Sequence, residues 1–396
     1  MASIRKRTLP SGKVVWQADY RDSGGSRRSK QFKTKGTADA FMVQARHEVA
    51  SGTHVADSAT ITLDHAGELW IERAVREGLE ASTIRQYRQH LKHHIVPELG
   101  TMKLTRLTRA RVEAFRDGLV KKLSRPMARA VLASLKGVLK EAHRLGLASH
   151  NAAAETTVDV SRRDRRKVEI PTKAEIRAIL ALTAELWPHT RIRVPHKGER
   201  RTVAVSWRPF MVTAIFTGMR CSELRGLTWE HVDLDKKVIQ IRQRADFQNV
   251  MGSPKTEAGN RDIPMAPMVA NTLKAWRLVC PDTPLNLVFP TEAGTIHTNS
   301  NVHQHCWRPL QRKLGIVKTV GQDADGNPIE RPRFTFHSLR HAAASMFIEQ
   351  GWTPKKVQTV MGHASIQVTF DTYGHLWANA EDDAEAMAQM EARLLG

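Results

Sequence analysis

The sequence predicts a multidomain α+β protein. It begins with a small three-stranded β-sheet plus helix, continues as an all-α four-helix domain, and ends in a mainly α domain with a small antiparallel sheet. Three observations predict this. The chain has 396 residues, more than one ordinary domain uses. Its apolar periodicity changes twice, from alternation, to spacings of three and four, to a mixed pattern. Its apolar content of 41% is enough to fill separate cores.

Residues 1–56 form the first predicted domain. Val14, Trp16, Ala18 and Tyr20 alternate with more polar neighbours, Gly24 and Gly25 mark a turn, and residues 27–33 make a basic strand. A helix is expected near 37–51. This stretch holds 11 Lys+Arg against 4 Asp+Glu, a difference of +7, so a small basic sheet that contacts DNA is expected. Residues 60–155 are the second domain, with helices predicted over 63–77, 82–95, 108–123 and 126–145. Thr108 is a candidate N-cap, Pro97 and Gly100 are expected to break the chain, and Gly146 stands where a C′ glycine belongs. Arg85, Arg88, Lys92, Arg109, Arg111, Lys121, Lys122 and Arg125 give these helices a cationic side. Residues 156–170, with the charged run 161–167, are expected to be a linker.

Residues 171–396 are the third domain. Thr172 and Glu175 make a capping box before an amphipathic helix. An apolar helix over 209–217 stops at Gly218. Strands are expected at 237–242, 261–265 and 287–289, and helices near 267–279 and 298–313. Thr335 is expected to cap a helix ending at Gly351, and Thr353 one that carries Pro354 at its first position and ends at Gly362. The final stretch, 381–394, reads as an acidic amphipathic helix.

The 61 Lys+Arg against 40 Asp+Glu leave a net charge of +21 and a pI near 10.3. A surplus of this size suits a polyanion, because each neutralised phosphate releases condensed counterions. Three cysteines without CxxC spacing argue against a disulfide framework or a zinc ribbon. No apolar run approaches the roughly 20 residues that span a bilayer, and the basic N-terminus lacks a signal peptide's apolar segment. The expectation is a soluble protein of the cytoplasm and not of a membrane. No phosphate-binding glycine loop, HExxH or paired-cysteine cluster is present, so neither a nucleotide cofactor nor a metal is expected. His303, His305 and Cys306 lie close together but read as the polar start of a helix.

Four short stretches remain: 217–224 (TGMRCSEL), 254–261 (PKTEAGNR), 337–340 (HSLR) and 362–373 (GHASIQVTFDTY). Each alone has a bland explanation. Arg220 and Glu223 make a structural ion pair, His337 and Arg340 a helix face, Lys255 a polar turn, and His363 a helix end. Together they offer two guanidinium groups, two imidazoles and an ammonium around a phosphate, with Tyr373 as nucleophile. The chain has only three tyrosines, and Tyr20 and Tyr87 read as packing residues.

In order and local spacing these stretches resemble the catalytic set of tyrosine recombinases of the phage integrase family. That set is an Arg-x-x-Glu box, a hairpin lysine, a His-x-x-Arg box, a Gly-His, and a tyrosine ten residues later. The flanks Leu339–Ala342, Met361–Ile366 and Thr372–His375 and the Lys255-Thr256 turn closing on Arg261 also resemble the family. Residues 1–56 look like the arm-binding domain of larger integrases, and Ser82–Gly100 like their SAM-like core-binding domain. Two stretches depart from the pattern, the insertions 188–207 and 317–333, and both are expected to be surface loops or hairpins.

The resemblance implies in-line attack by Tyr373 on a DNA phosphodiester, leaving a 3′-phosphotyrosine. Arg220, Arg340 and His363 would hold the phosphate, His337 would accept or share the tyrosine proton, Lys255 would protonate the departing 5′-hydroxyl, and Glu223 would orient a neighbour. It also implies double-stranded DNA with core and arm sites, four protomers around two duplexes, and a DNA-bending protein or directionality factor as candidate partners. The C-terminal helix is a candidate for packing on a neighbouring protomer or on its own domain. Two alternatives stand beside this reading. A type IB-like topoisomerase shares the chemistry but has no use for an arm-binding sheet, and a non-enzymatic DNA-binding regulator has no use for Tyr373, Lys255 and both arginine boxes.

Overall fold

Wherever the pattern switches from alternation to a period of three to four, the backbone switches from strand to helix. The computed structural model describes residues 3–22, 24–159, 169–186, 190–196, 199–205, 207–377 and 380–395. The expected linker run 161–167 lies outside the described residues. Contacts divide the chain into two units, Met1–Arg166 and Lys167–Gly396.

In the first unit β1 (Ser3–Thr8), β2 (Val14–Arg21) and β3 (Arg27–Phe32) form an antiparallel sheet in that order, followed by α1 (Lys35–Ala50). Ala18, Tyr20 and Met42 form its small core. The alternation fails at one end, where Val15 is buried and Val14 exposed. His54 bonds both Tyr20 Oη and Glu48 Oε2 at 3.0 Å, and Lys30 pairs with Asp57 at 2.8 Å, fastening the segment after α1 to the sheet.

The helices that follow are α2 (Leu63–Arg76), α3 (Ala81–His90), α4 (Val96–Leu99), α5 (Arg109–Lys122) and α6 (Arg125–Arg144). Pro97 does not break the chain as expected. A π-helical turn, Leu91–Ile95, joins α3 to α4 and accommodates the missing N–H, and the helical path stops only at Gly100. Thr108 does cap α5, accepting from the Arg111 amide, and Gly146 takes the left-handed φ of +70° after α6. α6 supplies the centre of the core with Val131, Leu132, Leu135, Val138 and Leu139. All eight residues of the expected cationic side are exposed, although Arg109 pairs with Glu113 and Glu155, and Lys122 with Glu98.

In the second unit Thr172 and Glu175 form the capping box of α7 (Lys173–Leu186). The insertion at 188–207 contains a hairpin of β4 (Thr190–His196) and β5 (Glu199–Val205). α8 (Trp207–Thr217) is buried nearly all round, as an uninterrupted apolar run demands. The short α9 (Cys221–Arg225) follows. Then β6 (Val232–Asp233), β7 (Val238–Ile241) and β10 (Arg261–Pro264) form an antiparallel sheet in the order β10-β7-β6, with Arg261 opposite Ile241. Between its strands, β8 (Arg244–Ala245) pairs with β9 (Met251–Gly252). Residues 287–289 are not a strand; Leu287 makes a single bridge to Thr228, because three apolar residues fill a core equally well as a loop.

α10 (Pro267–Arg277) precedes a second helix containing a π turn: α11 (Asn299–Asn301), Val302–Trp307, then α12 (Arg308–Lys313). The insertion at 317–333 is a hairpin of β11 (Val317–Gln322) and β12 (Pro328–Pro332). The chain ends with α13 (His337–Glu349), α14 (Pro354–Met361), α15 (Ile366–Tyr373) and α16 (Ala380–Leu395). The N-cap of α13 is Phe336 rather than Thr335. The fully buried Gln311 fixes this entry by donating to Phe334 O at 3.0 Å and accepting from its amide at 2.8 Å.

One close approach tests the helical core. A Cβ on Gly137 of α6 would lie 2.8 Å from Trp70 Cζ2, and Trp70 is stacked on Tyr87 at 4.2 Å. Gly137→Val should therefore lower stability by about 1–3 kcal/mol, read as a lower urea midpoint and faster hydrogen exchange in α2 and α6. Unchanged exchange there would contradict this packing.

Candidate active site

Glu223 is the hub of the second unit. It lies on α9, is 2% exposed, and takes four hydrogen bonds. Its Oε1 accepts from Arg220 Nη1 at 2.7 Å and Arg261 Nη1 at 3.0 Å; its Oε2 accepts from the Arg220 amide at 2.8 Å and Arg261 Nη2 at 2.8 Å. Burial pushes its pKa up, but the hydrogen bond and charge of Arg261 and the charge of Arg220 prevail, bringing it to about 2. Arg261 also donates through Nε to Val360 O at 2.6 Å and through Nη1 to Gly259 O at 3.0 Å. One carboxylate thus joins the arginine box to β10 and to the end of α14.

Arg340, on α13, pairs with no carboxylate among the described residues. It is 3% exposed, and it donates to Gly218 O at 2.7 Å and to Met361 O. Arg220 donates its Nη2 to Gly362 O, the next carbonyl, at 2.7 Å. The two guanidinium groups therefore hang from consecutive peptide units. Gly362 sits at φ +64°, and a Cβ there would lie 2.9 Å from Ala258 O, so the turn carrying Lys255 packs directly on this corner. Lys255 itself is exposed and has no hydrogen bond or ion pair with the described residues. His363 follows, its Nδ1 bonded to the buried Thr369 hydroxyl at 2.9 Å. Burial, then the charges of Arg340, Arg220 and Arg261, push its pKa down to about 4. It is neutral near pH 7, and with Thr369 as donor its Nε2 carries the proton.

Tyr373 ends α15 and is 4% exposed, packed against Ala344, Ile348, Val357 and Met361. Burial pushes its pKa up to about 12, against the pull of Arg340. Its hydroxyl bonds Nδ1 of His341 at 2.7 Å. Its ring runs nearly parallel to that of His363, 6.2 Å away. His337 makes no hydrogen bond with Tyr373; its exposed ring meets His341 edge-on at 4.9 Å. Desolvation by packed neighbours, then His341 and the charges of Arg340 and Arg220, lower its pKa.

Arg220, Glu223, Arg340, His363 and Tyr373 thus converge, with His337 at the rim and Lys255 on the adjoining turn. Arg220, Arg261 and Arg340 face one carboxylate, leaving two positive charges in excess around fixed donors. Such a cage suits an oxyanion whose charge grows during reaction. His303, His305 and Cys306 lie in the π turn before α12, and no group of three metal-ligating side chains occurs among the described residues. No helix of the described residues is long and apolar enough to cross a membrane.

Residues 194–379 match the phage integrase family, and residues 62–120 match the phage integrase N-terminal SAM-like domain. Residues 194–379 form a domain of the phage integrase family. Among curated members, it is 23% identical over 384 residues to a XerC-like tyrosine recombinase of Caldanaerobacter subterraneus, covering 90% of each chain. Among solved members, its fold is similar to the Tn1549 transposon integrase in complex with transposon right end DNA. That match has a TM-score of 0.65 and 20% identity, over 85% of this chain and 100% of the other. A lambda integrase tetramer bound to a Holliday junction matches with a TM-score of 0.54 and 18% identity, over 91% and 95%.

Against this family pattern, three contributors escaped the sequence. Arg261 stood out only as the residue closing a turn, and its pairing with Glu223 spans 38 positions. His341 lies four residues after His337 on the same helix face, a signal that was available. Thr369 gives no local sign of its bond to His363. The buried pair is open to test: because Glu223 is ionised at lower pH when folded than when unfolded, its stabilisation is complete above about pH 4.3 and fades as pH falls toward 2. Glu223→Gln should cost about 3–5 kcal/mol near pH 7 and flatten the acid limb of the stability profile. An acid limb identical to wild type would show that Glu223 does not carry this linkage.

Proposed function

We propose that this chain is a site-specific DNA recombinase, an integrase that cleaves and rejoins strands through a 3′-phosphotyrosine at Tyr373 and moves a phage or other mobile element. The observation that carries the proposal is the cage itself: two guanidinium groups anchored on neighbouring carbonyls, with a tyrosine and a neutral histidine beside them. Arg220 and Arg340 would grip the non-bridging oxygens, His363 would donate to the same phosphate, and His337, at the rim, would add a further imidazole there. Lys255, free on its turn, would protonate the departing 5′-hydroxyl. Glu223 would position Arg220. The phosphotyrosine keeps the bond energy for rejoining, so the chemistry calls for no nucleotide. Removing one such donor typically costs about 10²–10³ in rate.

Residues 1–56 would bind arm sites and residues 60–155 core sites, with 156–170 linking the latter to the catalytic residues 171–396. The sheet's charge and the exposed cations of α3, α5 and α6 support this assignment. A homotetramer on two duplexes suits the exchange of partners, in keeping with the lambda integrase tetramer bound to a Holliday junction, with a DNA-bending or directionality factor as a further partner. Met387, Met390, Leu394 and Leu395 of α16 are exposed, which supports packing of this helix on a neighbouring protomer.

With Tyr373→Phe, a nicked duplex incubated with the protein should yield no covalent adduct while binding persists; an adduct surviving the change would refute the nucleophile. Sequencing the DNA trapped on wild-type protein identifies the site. Deleting residues 1–56 should impair recombination more than core-site binding, compared by strand-exchange and gel-shift assays. Equal loss of both would remove the arm-binding assignment.

A further inference from the structure

The resemblance gives the phenolic proton of Tyr373 to His337, but the His337 ring lies against His341, and it is His341 that meets the phenol. We infer that His341 is a catalytic residue of this site and receives that proton during strand cleavage. The inference rests on the recombinase proposal and adds a residue to it.

Among the described residues, His341 is the hydrogen-bond partner of the Tyr373 hydroxyl, through Nδ1 at 2.7 Å. The contact joins the first turns of α13 to the last residue of α15, 32 positions apart, so it is a tertiary arrangement and not a by-product of helix geometry. His337 is one step removed, with its ring against that of His341 and not against the phenol. The groups facing His341 are Tyr373, His337, Arg340 on its own helix, and His363 beyond the ring of Tyr373. Burial and the charge of Arg340 lower the pKa of His341, so at neutral pH the imidazole is uncharged. With its proton on Nε2, Nδ1 is an acceptor.

A phenol pushed up to about 12 does not ionise unaided near pH 7, and transfer to a neutral imidazole is favourable only as the phenol grows more acidic. That occurs as its oxygen bonds to phosphorus. In cleavage the Tyr373 oxygen forms the O–P bond and its proton passes to His341 Nδ1. The P–O5′ bond breaks, and the departing oxygen takes a proton from Lys255. In rejoining, the incoming 5′-hydroxyl gives its proton to Lys255 and bonds to phosphorus, and the phenolate leaves and recovers its proton from His341.

The test uses the full chain and a nicked duplex bearing the site recovered from wild-type covalent complexes, with adduct formation followed in single turnover from pH 6 to 10. His341→Asn keeps a hydrogen-bonding atom near the Nδ1 position but cannot take a proton. It should bind DNA and melt like wild type, and form adduct about 10²–10⁴-fold more slowly near pH 7. Its rate should then climb with pH toward tyrosine ionisation, where wild type has levelled off. A 5′-bridging phosphorothiolate, whose leaving group needs no proton, should not restore the variant. Added imidazole should partly restore His341→Ala.

A wild-type rate in His341→Asn overturns the inference. So does a slow rate with the wild-type pH profile and no imidazole rescue, which assigns His341 a holding role, and so does recovery on the phosphorothiolate. A wild-type protein that forms no adduct on any trapped or offered duplex instead removes the recombinase proposal, and this inference with it.

Discussion

The buried Glu223–Arg261 pair is the constraint on which the rest of the site depends. Each partner is nearly without solvent access, so each needs the other to stay charged. Through it, α9, β10 and the end of α14 hold one another in place, and Arg220 takes its direction from the same carboxylate. Apolar side chains in place of the pair would suit the core, but they would release Arg220 from the carboxylate that directs it. The ion pair is better understood as a positioning device than as a source of stability.

Around that hub the donors are graded by exposure. Arg340 is buried, Arg220 has a side chain 36% exposed, and Lys255 is solvated on a turn. Fixed donors suit a phosphate whose charge appears in one place, because no reorganisation is needed when it appears. An exposed ammonium suits a proton that must reach an oxygen only once its bond is breaking. The same fold thus supplies both kinds of group from adjacent segments.

Much of this was legible because it is local. Thr353, Pro354 and Gly362 mark the limits of α14 by their own backbone preferences, and the boxes at 220–223 and 337–340 announce themselves by spacing. What escaped is long-range or depends on context. Arg261 meets Glu223 only after β10 pairs with β7, and His341 meets Tyr373 only after α15 folds back onto α13. Pro97 misled because its usual effect assumes a regular α-helix, whereas a π turn precedes it. Residues 287–289 misled because a short apolar run says buried without saying strand.

The arginines' anchors are peptide oxygens: Gly218, Met361 and Gly362 contribute carbonyls, not side chains. Main-chain acceptors survive most substitutions at the positions that bear them. Side-chain identity can therefore change at these positions without disturbing the grip. What the grip does require at this corner is the path of the backbone, which bends through the left-handed region at Gly218 (φ +62°) and Gly362 (φ +64°).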